Sequence, residues 1–128
     1  MKAPGDSTLQ ALWRKVVRSE WGNRCAFYDA RFQCDGPLEC HHIVKRSRPH
    51  LKHVPTNGIL LCKRHHNEAD SMTGRVRVVC AIGQDKADWL ADMERKLFKD
   101  YLIEVGKSRA EYLCDQKAYL EKLVKGVE

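Results

Sequence analysis

The sequence predicts an α+β fold, a small core of two strands and a helix between an N-terminal helix and a C-terminal helical hairpin, and three observations point to it. Apolar residues recur at helical intervals near both ends, at Leu9, Leu12, Trp13, Val16 and Val17 and again from Trp89 to Val105. Between them, Leu38–Val44 and Gly58–Cys62 are short apolar runs of strand length, separated by a basic loop with Pro49 and Pro55. Cysteine and histidine, six of each, crowd the same region, ten of the twelve lying between Cys25 and His66. At 128 residues, 1–128 reads as a single domain.

Each element has its own justification. Residues 7–20 form the N-terminal helix, with Ser7 and Gln10 at capping-box spacing and Gly22 as the stop. Residues 23–74 form the ligand-bearing core: strand, basic loop, strand, then a short helix from Lys63 that ends before Gly74. Arg75–Ile82 opens with alternating Arg75-Val76-Arg77-Val78, the pattern of a brief strand. Residues 85–128 form the helical hairpin. Its first helix runs from about Lys86 to Val105 with Trp89, Leu90, Met93, Leu97, Tyr101, Leu102 and Val105 on one face. Gly106 caps it, and Ser108 with Glu111 opens a second helix carrying Leu113, Leu120, Leu123 and Val124. The stripe from Trp89 to Val105 reads as packing, with part of it available as a homodimer seam.

Composition narrows the chemistry. Hydrophobic residues at 43% and charged ones at 31% exclude a wholly disordered chain. No apolar run approaches the roughly 18 residues that a membrane helix needs, and the opening residues lack an apolar signal core, so a soluble cytoplasmic protein with no membrane partner is expected. In that compartment, cysteine interleaved with histidine favours metal ligation over disulfides. Lys plus Arg number 23 against 17 Asp plus Glu, a net charge of +6. From Cys40 to Asn67 there is no acidic residue, while Lys45, Arg46, Arg48, Lys52, Lys63 and Arg64 are all basic. The ligand-rich segment is therefore also where a polyanion such as DNA would be drawn.

Two ligand sets separate on spacing. His41 and His42 stand at a strand end, where adjacent side chains can serve one site despite the pleat. His66 and Asp70 lie four residues apart, on one face of a helix. Two imidazoles and a carboxylate, with positions left for water and phosphate, suit a divalent cation such as Mg²⁺, Mn²⁺, Ni²⁺ or Zn²⁺. A neutral imidazole beside it suits deprotonation of water near neutral pH. The second set is Cys62 with His65, an i, i+3 zinc half-site, completed by Cys25 and Cys34, whose Cys34-Asp35-Gly36 resembles the turn after a knuckle cysteine. His65 and His66, about 100° apart around a helix, can face the two different sites. Cys40, Cys80 and Cys114 read as packing residues; His50 and His53 read as phosphate contacts or solvent-exposed side chains.

Leu38-Glu39-Cys40-His41-His42-Ile43-Val44, Asn57-Gly58-Ile59-Leu60-Leu61-Cys62 and His65-His66-Asn67 together resemble the HNH endonucleases of the ββα-metal type. The resemblance covers roughly 45 of the 128 residues. It implies a zinc-stapled ββα-metal core and metal-dependent hydrolysis of DNA phosphodiesters to 5′-phosphate and 3′-hydroxyl ends. It implies His42 as general base, His41 and His66 as metal ligands, Asp70 as a third ligand in the manner of the colicin branch, and Asn57 as the residue that holds the loop orienting His42. Many members carry a structural zinc on four cysteines; here Tyr28 stands where Cys25 would have its Cys-x-x-Cys partner, and His65 replaces a cysteine. Duplex, nicked or branched DNA is the expected partner, bound mainly through phosphate with low sequence selectivity or by structure. Two rivals remain: a non-catalytic, zinc-organised nucleic-acid-binding module, and the same chemistry applied to branched DNA or RNA.

Overall fold

The computed structural model describes residues 2–28 and 34–127; residues 29–33 of the predicted core segment and the last residue of the predicted hairpin lie outside them. Helix α1 (Asp6–Glu20) is followed by strand β1 (Leu38–His42), the single turn α2 (Pro49–Lys52), a 3-10 turn (Pro55–Asn57), strand β2 (Gly58–Cys62) and helix α3 (Lys63–Glu68). Four helices complete the described chain: α4 (Met72–Ile82), α5 (Gln84–Glu94), α6 (Phe98–Val105) and α7 (Arg109–Val127). The class is α+β, with one two-stranded antiparallel sheet among the described residues.

β2 is the spine of the fold. All five of its residues are buried, which is why its sequence runs apolar rather than alternating. Leu60 joins Leu9, Trp13, Val16 and Val17 of α1 and Tyr112, Leu113, Leu120 and Val124 of α7 in one cluster. Ile59, Leu61 and Cys62 join Cys25, Phe27, Ala69 and Val78 in a second. A third, formed by Val44, Leu51, Leu90 and Met93, ties the loop between the strands to α5. In the antiparallel register Glu39 faces Leu61, Cys40 Leu60, His41 Ile59 and His42 Gly58. Strand pleating therefore turns Glu39 and His41 toward the second cluster and α3, and Cys40 and His42 toward α1. Cys40 is half-buried there, its Sγ 3.8 Å from the Arg14 carbonyl.

Gly58 lies beneath His42 because α1 needs the room. A Cβ there would stand 2.9 Å from the Trp13 ring, which instead stacks on His42 with centroids 4.1 Å apart and planes 7° from parallel. At the N-terminus, α1 starts at Asp6 with Gly5 as its uncapped N-cap, so Ser7 and Gln10 make no capping box. Asp6 is used differently, pairing with Lys52 at 2.7 Å and His53 at 3.1 Å to fasten α1 to the loop between the strands. Gly22, at φ 62°, ends the helix as the pattern predicts.

Three expectations are corrected. Arg75–Ile82 is helical, part of α4, because Ser71 caps the Gly74 amide at 3.0 Å and nucleates a turn that the short Arg-Val alternation does not oppose. Gly74 lies in the first turn of α4, where its missing Cβ admits the Glu68 and Ala69 carbonyls, and α3 ends ahead of it at Glu68 as expected. The single helix expected over Lys86–Val105 is two, α5 and α6, broken between Arg95 and Leu97. Leu90 and Met93 are buried, whereas Trp89, Leu97, Ile103 and Val105 remain exposed, so a stripe continuous in sequence is divided between two helix directions. Cys80 is exposed rather than packed. The α6–α7 junction follows expectation: Gly106 adopts φ 69°, and Ser108 and Glu111 exchange both bonds of a capping box.

Candidate metal centres beside the β1–β2–α3 unit

Cys62 ends β2 and caps α3, its Sγ accepting the His65 amide at 3.4 Å. The i, i+3 spacing turns His65 back over the cap, where Nδ1 lies 3.2 Å from Cys62 Sγ, 3.4 Å from Cys25 Sγ and 3.7 Å from Cys34 Sγ. All four donor atoms fall within 4.8 Å of one another. A tetrahedral ion with ordinary metal–sulfur and metal–nitrogen lengths would separate such donors by about 3.6 Å, so the set fits one metal ion. Gly36, at φ 84°, makes the approach; a Cβ there would stand 2.7 Å from that of Lys63. Burial and the neighbouring Cys25 thiol push Cys34 up to about 12. Burial acts the same way on Cys62, but the amides of His65 and Asp35 outweigh it and hold that thiol below its usual range. The gap of eight residues between Cys25 and Cys34 is closed in space although the spacing is not that of a standard half-site.

The second set gathers at the other end of β1. His41 Nε2 is 3.9 Å from Asp70 Oδ1, and its ring meets that of His66 edge-on with centroids 5.0 Å apart. Two donors about 2.1 Å from one ion can be at most about 4.2 Å apart, so His41 and Asp70 are within span of a shared cation. His41, His66 and Asp70 do not close as tightly as the cysteine set, the one group of donors within 4.8 Å among the described residues. Asp70 is 76% exposed.

His42 stands next to this group on the opposite side of the strand. Its Nε2–H donates to the Lys52 carbonyl at 2.9 Å, and Trp13 covers one ring face. That bond places the proton on Nε2 and the lone pair on Nδ1. Burial, aided by the nearby positive charge of Arg46 and opposed by the Lys52 hydrogen bond, lowers His42 to about 4, so the ring is neutral at physiological pH. Burial and His66 lower His41, against the pull of Asp70. Because His42 is the last residue of β1, it reaches the same cavity as His41: a cleft of about 480 Å³ with His41, His42, Lys45 and Asp70 at one side and Val78, Ile82 and Leu90 of α4 and α5 along its wall. His66 borders His41 but does not line this cleft.

Asn57, fully buried, spans the loop that carries the Lys52 carbonyl. Its Oδ1 accepts the Val44 amide at 2.6 Å, and its Nδ2 donates to the Val44 and Leu51 carbonyls at 3.1 Å each. The basic residues divide. Lys45, Arg46, Lys63 and Arg64 are exposed. Lys52 is tied to Asp6, and Arg48 Nε donates to the Glu94 carbonyl at 2.7 Å. His50 and His53 are buried, contrary to the solvent-exposed or phosphate-contacting role expected of them. His50 bonds the Met93 carbonyl at 2.8 Å between Phe98 and Tyr101, and His53 pairs with Asp6. Glu39 and Trp13 were not among the sequence-derived candidates, although strand parity with His41 marks Glu39.

Compared with known proteins, the chain matches no family model, no curated protein and no solved structure. No described helix is long and apolar enough to cross a membrane.

Proposed function

We propose that this chain is a metal-dependent DNA endonuclease with a ββα-metal core, its β1–β2–α3 unit stapled by zinc on Cys25, Cys34, Cys62 and His65. The observation that carries the reading is the pairing of His42, neutral and bonded through Nε2 to a loop carbonyl, with His41 and Asp70 around one cleft. A divalent cation held by His41, His66 and Asp70 would offset charge on the phosphoryl oxygens and the departing alkoxide. His42 Nδ1 takes the proton of the attacking water, whose oxygen bonds to phosphorus as the bond to the 3′ oxygen breaks; that oxygen takes a proton from solvent water, leaving 5′-phosphate and 3′-hydroxyl ends. Lys52, through its carbonyl, and Trp13, by stacking, fix the ring plane. Asn57 fixes the loop that supplies the carbonyl. Lys45, Arg46, Lys63 and Arg64 contact phosphate, with Arg48 and Lys52 adding charge nearby.

The test is to incubate supercoiled plasmid, linear duplex, single strands and a four-way junction with Mg²⁺, Mn²⁺, Ni²⁺ or Zn²⁺, with His42→Ala as control. Metal-dependent cleavage that falls by about 10²–10⁴ in the variant, at unchanged DNA affinity, is expected. Cleavage at the parent rate would remove His42 from the role of base. The tightness of the cysteine set favours one rival, a non-catalytic nucleic-acid-binding module. It predicts that Cys62→Ser unfolds the protein while His42→Ala and His66→Ala change nothing measurable.

A further inference from the structure

His66 sits on a helix of only six residues, and a short helix does not by itself decide which edge of an imidazole faces a cation. Rotating the ring by half a turn exchanges Nδ1 with Cδ2 and Nε2 with Cε1, so it decides whether a nitrogen or a carbon meets the cation. His41 does not decide it either, since the two rings meet edge-on at 67°. Glu39 does: Oε1 lies 3.1 Å from His66 Nδ1. Glu39 reaches it because it precedes His41 by two residues and shares that face of β1, the face turned toward α3. A chain of contacts results, Glu39 to His66, His66 to His41, His41 to Asp70. A carboxylate accepts, so the proton is on Nδ1 and the lone pair on Nε2.

We propose that Glu39 is the positioning residue for His66, fixing the Nδ1–H tautomer and ring rotation that aim Nε2 at a divalent cation. The inference rests on the cation site of the preceding subsection and adds to it a residue that neither spacing nor resemblance had assigned. The pair is partly exposed, 33% for His66 and 41% for Glu39, a setting in which an ion pair adds little stability. Orientation of a ligand is the effect that such a contact can exert in full, since the partner of a ligating histidine sets both its tautomer and its basicity. Glu39 as a direct ligand makes a different prediction, because a neutral amide keeps the hydrogen-bond acceptor but is a poor substitute for a ligating carboxylate.

The zinc-loaded protein with ¹⁵N-labelled histidine provides the test. Ring nitrogen shifts report the His66 tautomer without any second metal, and calorimetric titration with Mn²⁺ reports the cation site. In the parent, His66 is expected as Nδ1–H. Glu39→Ala should release it to the commoner Nε2–H form and weaken Mn²⁺ binding about 10–100-fold. Glu39→Gln should restore the tautomer and most of the affinity. An Nε2–H His66 in the parent, a tautomer and affinity unchanged in Glu39→Ala, or a Glu39→Gln as weak as Glu39→Ala would each overturn the positioning role while the cation site stands. A parent that binds Mn²⁺ no better than His41→Ala would overturn the cation site itself, and the inference with it.

Discussion

His42 is held by a carbonyl on one edge and an indole on one face, and the consequences are measurable in both stability and pH response. Burial keeps it neutral down to about 4, and burial likewise lowers His53 in spite of its pairing with Asp6. The unfolded chain, with imidazoles near 6.5, therefore binds more protons than the folded one between about pH 6.5 and 4. Stability from these two groups is complete above about pH 6.5 and is withdrawn as pH falls toward the lowered values. Urea midpoints should drop across that window, and the drop should be shallower in His42→Asn, which separates it from acid release of a metal. A slope identical in parent and variant would contradict a buried neutral His42. Gly58→Ala tests the neighbouring contact. Its new Cβ would meet Val17 and Trp13, so a loss of about 1–3 kcal/mol is expected by denaturation, together with a displaced His42 resonance.

At the level of elements, the loop between β1 and β2 depends on Asn57 more than on its own regular structure, since α2 is a single turn. Asn57→Ala would leave the Val44 amide and the Val44 and Leu51 carbonyls without their buried partner, a cost of about 2–4 kcal/mol by chemical denaturation. Loss below about 0.5 kcal/mol would mean that water replaces all three bonds. The legibility of the elements follows from how local their causes are. β2 and the Gly106 to Glu111 capping were readable because a buried apolar run and a capping box act within a few residues. The cysteine set was readable from Cys62 and His65, although the reach of Cys25 and Cys34 depended on a turn at Gly36. Glu39 was missed because its partner is 27 residues away, and His50 and His53 were misread because helices α5 and α1 cover them from far along the chain. The Arg75–Val78 alternation misled because a cap at Ser71 outweighs four residues of pattern.

Across the whole molecule, the first two hydrophobic clusters divide between the faces of β2, with the cysteine set on the side of the second. The α1–α7 cluster touches β2 through Leu60, whereas Cys25, Cys62 and Phe27 belong to the cluster on the other face. Stripping metal from the cysteine set should therefore raise hydrogen exchange in 24–28, 34–37 and α3 while the amides of α1 and α7 stay protected. Uniform loss of protection would mean that the two clusters unfold as one. If DNA binds as proposed, four exposed cations, Lys45, Arg46, Lys63 and Arg64, set its salt response: log K against log salt with a slope of about −3 to −4, and weaker by about one in Lys45→Ala. The geometry most in need of measurement is the convergence of imidazoles from β1 and α3 on one cation. Anomalous diffraction from crystals of the zinc-loaded protein soaked in Mn²⁺ measures it directly. A manganese peak about 2.2 Å from nitrogens of both His41 and His66, with His42 Nδ1 facing a water on it, is the expected result. Anomalous signal confined to Cys25, Cys34, Cys62 and His65 would contradict it.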